Sequence, residues 1–141
     1  MRNKWLPCLW FTCVAIAQSP APPSVSDVLG TWEGESICTI RDSPCHDEHV
    51  VYQIASQPGD PPLKIDAYKI VNGQQEFMGT ITCDYKGETH ILTCTAPIAR
   101  PNIWEFTVSG STMNGTLKVD ADKHLFRNIR VERPKPASEK R

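Results

Sequence analysis

The sequence predicts an all-β domain, an eight-stranded antiparallel up-and-down barrel stapled by disulfides, and three observations predict it. First, β-branched and aromatic residues alternate with polar ones between turn formers, with no helical periodicity after the N-terminal apolar run. Second, about eight such stretches follow one another on short connections, near residues 30–40, 48–55, 62–71, 76–85, 90–96, 102–109, 112–120 and 124–133. Eight strands suffice to close one sheet on itself, leaving an interior wide enough for packed side chains or one small ligand. Third, Cys38, Cys45, Cys83 and Cys94 remain once the N-terminal segment is set aside, and an even number reads as a disulfide framework.

That N-terminal segment has the layout of an export signal. Arg2 and Lys4 precede an apolar run over residues 5–16, and Ala15-Ile16-Ala17 is a small-x-small cleavage pattern. A signal peptide over residues 1–17, cut after Ala17, is expected, which places the mature protein outside the cell or in a periplasm. The run is shorter than the roughly 20 residues of a membrane span and contains Pro7 and Thr12, so no membrane insertion is expected. Residues 18–26 form a Pro/Ser/Ala tether, residues 27–133 the barrel domain, and residues 134–141 a polar tail expected to be disordered. The barrel domain carries 10 basic and 15 acidic side chains, a net charge of −5 that argues against nucleic acid as a partner.

Local spacing suggests how the cysteines pair. Cys38 with Cys45 and Cys83 with Cys94 would each close a short loop, whereas crossed pairings would join strands one and four, which are not neighbours in an up-and-down barrel. Neither spacing is the C-x2-C knuckle of a zinc module.

Turn residues set the register of the later strands. Asn72-Gly73 is a strong hairpin signal and sets Tyr68 opposite Phe77. A turn at Gly110-Ser111 sets Val108 opposite Met113, Phe106 opposite Gly115 and Trp104 opposite Leu117, one wholly apolar face in which Gly115 leaves room for the Phe106 ring. A three-residue loop around Asp122 then aligns Val119 with Leu125, Leu117 with Arg127, and Gly115 with Ile129, turning Arg127 inward near Trp104. An inward guanidinium needs a charge partner or an aromatic face.

Gly30-x-Trp32 on the first strand and an arginine on the last resemble the lipocalins and their calycin relatives. The resemblance implies that Arg127, or Arg130 with a slipped turn, packs across Trp32 as the plug of a closed barrel end. The chain is also similar to small exported bacterial proteins that combine a Gly-Thr-Trp-x-Gly opening with an Asp-Glu-x-Val-x-Tyr second strand, here Asp47 to Tyr52. That likeness implies compartment and fold, and no particular activity.

Chemistry-bearing clusters are few. Cys45-His46-Asp47-Glu48-His49 is the densest set of metal-ligand types, but on a strand His46 and His49 face opposite sides, and a solvated loop is the simpler reading. There is no Gly-x-Ser-x-Gly, no phosphate-cradling glycine loop, and no thiol left after oxidation, so neither an enzyme nor a cofactor is expected. Glu33/Glu35 and Asp120/Asp122 read as solvating pairs on an outer face. The aromatic residues Trp32, Tyr52, Tyr68, Phe77, Trp104 and Phe106 point to an apolar interior that either packs solid or holds a ligand. The expected function is non-enzymatic binding of a small apolar or amphipathic ligand, with Tyr68, Phe77, Trp104 and Phe106 as wall and Arg127 as plug or anionic anchor. The alternative is a protein-binding module, such as a periplasmic protease inhibitor acting through its N-terminal segment and rim loops.

Overall fold

The computed structural model describes residues 24–136 together with Ala15 and Ala17. The expected signal peptide, most of the tether and the end of the tail therefore lie outside the described residues. A single 3-10 turn at Val25–Asp27 leads into eight strands: β1 Gly30–Cys38, β2 Glu48–Ser56, β3 Leu63–Val71, β4 Gln74–Lys86, β5 Ile91–Thr95, β6 Asn102–Ser109, β7 Thr112–Val119 and β8 His124–Glu132. Each pairs antiparallel with its sequence neighbours, and β1 pairs with β8 to close the barrel in the order β1 to β8. Among the described residues no helix is long and apolar enough to cross a membrane.

The hairpins hold the register that their turns dictate. Asn72 and Gly73 both take positive φ, 51° and 77°, and place Val71 opposite Gln74. In β6–β7, Val108 faces Met113, Phe106 faces Gly115 and Trp104 faces Leu117. A Cβ on Gly115 would lie 2.3 Å from the Phe106 ring, so the glycine makes the space that this ring fills. Leu117 faces Arg127 and Gly115 faces Ile129 as expected, but Val119 meets His124 and Lys118 meets Leu125, because a bulge at Leu117/Lys118 absorbs one residue of β8. A second bulge at Ala67/Tyr68 inserts Met78 into β4.

Closure depends on one close approach. A Cβ on Gly34 would sit 2.0 Å from the Arg130 carbonyl oxygen of β8, so only glycine lets β1 and β8 meet there.

Both expected disulfides are present. Cys38–Cys45 ties the end of β1 to the following loop, and Cys83–Cys94 joins directly opposed residues of β4 and β5, Cα atoms 4.1 Å apart, inside the barrel.

The two ends of the barrel are filled unequally. Around the end where β1 begins, the inward positions hold Trp32, Leu63, Ile65, Leu92, Phe106, Met113 and Val131, each at most 1% exposed. Toward the other end the inward positions of β1, β3, β4 and β5 hold Ser36, Ala67, Gly79 and the flanking Ala96, which are too small to meet across the interior. A packed half and a hollow half result from the same alternation of strand faces.

Candidate ligand cavity

The packed end is a plug. Trp32 is fully buried on β1, and its indole N–H donates to the Val28 carbonyl at 2.8 Å. The Arg133 guanidinium lies over the indole, 4.3 Å from the ring centroid, and donates to the carbonyls of Leu29 and Asp27, each at 2.8 Å. The 3-10 turn is thereby strapped across the barrel end, with the Ser24 N–H donating to the Asp27 carboxylate at 3.0 Å. The arginine expected here was Arg127 or Arg130, and the structure corrects both assignments. Arg127 pairs with Cys38 at the far end of β1, roughly 20 Å from Trp32 at a strand rise of about 3.3 Å per residue. Arg130 points outward and bonds Asn114 and Glu132.

The hollow end is a cavity of about 420 Å³, a size within the usual range for small-molecule sites. Its walls differ in chemistry. Met78, Ile81, Ile98, Trp104 and Leu117 make an apolar wall from β4, the β5–β6 loop, β6 and β7; Ser36, Glu48 and Arg127 make a polar one from three adjacent strands, β1, β2 and β8. Tyr52 and Val50 of β2 also line it.

Arg127 is held from several sides. Its Nη1 donates to the Ser36 carbonyl at 3.3 Å, the Ser36 hydroxyl at 3.2 Å and the His46 carbonyl at 3.1 Å, and lies 3.7 Å from Glu48 Oε2. The guanidinium also sits 5.7 Å from the Phe126 ring centroid. These partners meet the cost of a side chain only 14% exposed. Burial, the largest cause, pushes the Tyr52 hydroxyl well above its ordinary titration range; Arg127 opposes that shift and Glu48 adds to it, so both charges act on this hydroxyl.

The rim is braced. Ala96 to Pro101, which carries Ile98 over the mouth, is held at its base by Asn102, whose side-chain carbonyl accepts from Ala96 N at 2.6 Å. Arg100 clasps Asp120 of the β7–β8 turn through two bonds of 2.8 and 2.9 Å.

Of the expected wall residues, Trp104 and Arg127 line the cavity. Phe106 does not: it is buried in the core below, edge-on to Tyr52 at 6.0 Å. Tyr68 and Phe77 are opposed as expected, 5.4 Å apart, but on the outside of the barrel, where Phe77 is 58% exposed. Leu63 and Ile65 fix the inward face of β3, so alternation carries Tyr68 outward, and the bulge at Met78 turns Phe77 to the same side. The sequence reading passed over Arg133 as plug, and Ser36 and Glu48 as wall. Ser36 had a usable signal, since it alternates in step with Trp32 and Gly34 on one face of β1.

The acidic pair Glu33/Glu35 does lie on the outer surface, where it brackets His49. The two ring nitrogens sit 2.7 Å from Glu33 Oε1 and Glu35 Oε1, and these bonds raise the histidine pKa above its ordinary 6.5. Among the described residues no group of three or more His, Cys, Asp or Glu is placed to hold a metal ion.

Comparison with protein-family models, with characterised proteins and with solved structures finds no match to this chain.

Proposed function

We propose that this protein is an exported, non-enzymatic carrier or receptor for a small apolar or amphipathic molecule, held in the cavity at the open end of the barrel. The observation that carries the reading is the contrast within one interior: a plugged half, and a half of about 420 Å³ left hollow by small inward residues and walled by Trp104. A lipocalin-type relationship is in keeping with the Gly30-x-Trp32 opening and an arginine stacked across Trp32, with Arg133 in that place. Two disulfides support export, because such bonds persist in oxidising compartments. Binding rather than catalysis is favoured at the polar wall, where the Ser36 hydroxyl accepts from Arg127 and makes no hydrogen bond to a base among the described residues.

The test uses the oxidised protein purified from an exporting host. Native mass spectrometry is expected to show a bound small molecule, or titration with a hydrophobic dye to give saturable binding that is lost in Trp104→Ala. A bare mass together with no dye binding would reject the reading.

A further inference from the structure

The polar wall says more about the occupant than its size does. Every side-chain hydrogen bond that Arg127 makes among the described residues leaves from Nη1, so Nε and Nη2 keep donors without an acceptor among those residues. The Glu48 carboxylate, on a side chain 24% exposed, accepts no hydrogen bond among the described residues, and its 3.7 Å separation from Nη1 is an ion-pair distance too long for a hydrogen bond. A donor group and an acceptor group therefore lie side by side on the one polar wall, with opposite charges that cancel.

Such a wall discriminates by charge. A ligand carboxylate could reach the open donors of Arg127 only beside the Glu48 carboxylate, and would bring an uncompensated charge into a half-buried site. An ammonium group meets the same difficulty with Arg127. A neutral group with a carbonyl and an N–H next to each other offers an acceptor to Arg127 and a donor to Glu48, and adds no net charge. Alongside, Leu117, the β7 partner of Arg127, and Trp104, the β6 partner of Leu117, present a surface suited to the body of an apolar ring.

We propose that the cavity selects uncharged ligands carrying a carbonyl acceptor and an N–H donor side by side on an apolar ring, such as a primary amide or lactam, over the corresponding carboxylates. This rests on the reading of the cavity as a binding site. Glu48 is then the residue that sets specificity, by rejecting anions as much as by holding the N–H.

The experiment is calorimetric titration of the full oxidised protein at neutral pH with the matched pair 2-naphthamide and 2-naphthoate. The amide is expected to bind at least about tenfold more tightly, the size of effect expected for one hydrogen bond to a charged group. In Glu48→Gln, checked for folding by circular dichroism, the preference is expected to shrink or reverse as naphthoate gains affinity. Tighter binding of naphthoate by the unaltered protein, or an unchanged ratio in Glu48→Gln, overturns the selectivity and leaves the cavity as a binding site. If neither probe binds, and the dye and native spectra of the preceding test are also blank, the binding reading itself falls.

Discussion

Two arginines at opposite ends of one barrel show how position decides what the same side chain does. Arg133 lies over a fully buried indole, and two of its donors go to the carbonyls of Asp27 and Leu29. It acts as a strap. Arg127 lines a hollow interior, its Nη1 is bound to Ser36 and His46 beside the Glu48 carboxylate, and its other guanidinium nitrogens have no hydrogen-bond partner among the described residues. The difference follows from the neighbours: at the packed end large side chains meet and the guanidinium has only to cover them, whereas small residues at the open end leave a polar wall beside empty space.

The contrast predicts that stability resides at one end and binding at the other. The largest effect is expected for Trp32→Ala, which removes a fully buried ring and should lower the unfolding free energy by about 3–5 kcal/mol in urea titration. Trp104 is only half-buried and lines the cavity; Trp104→Ala is expected to cost about 1–2 kcal/mol while abolishing dye binding. Equal stability losses in the two variants would break the division between the ends.

A smaller effect of opposite sign sharpens it. The Tyr85 hydroxyl at the plugged end is buried without a hydrogen-bond partner among the described residues. Tyr85→Phe relieves that unmet demand and is expected to raise stability by up to about 1 kcal/mol. A destabilised variant would show that the hydroxyl is satisfied in solution, and that the plugged end is wetter than its packing implies.

The smallest expected effect belongs to neither end. His49 has its pKa raised by hydrogen bonds to Glu33 and Glu35, so the protonated ring is bound more tightly in the folded state than in the unfolded one. Its contribution is complete below the ordinary 6.5 and is lost as pH rises through the higher folded value. The cluster is exposed and the change is correspondingly small. A series of urea midpoints across that window should decline with pH in the unaltered protein and flatten in Glu33→Gln/Glu35→Gln.

How much of this was legible in the sequence varied with the kind of signal. Strand number, hairpin registers and disulfide pairing follow from local features: Asn72-Gly73, Gly110-Ser111 and the short cysteine spacings act over a few residues. The plug was not legible, because choosing among Arg127, Arg130 and Arg133 requires knowing how far β8 slides along β1 as the barrel closes. Tyr68 was readable from the Leu63 and Ile65 alternation, but Phe77 was not, since a bulge leaves no local mark as plain as a turn does. A ligand-holding interior was expected, but which half is hollow was not legible, because Ser36, Ala67, Gly79 and Ala96 are unremarkable one at a time and make a void only when β1, β3, β4 and the segment after β5 bring them together.

The two disulfides differ in what a reductant can reach. Cys83 and Cys94, at 0% and 1% exposure, are sealed in the interior, while Cys38 and Cys45 are partly exposed and close a loop that ends just before His46, whose carbonyl accepts from Arg127. Mild reduction would therefore open the outer staple first, freeing the loop and removing one fixed acceptor from Arg127 while the inner bond stays closed.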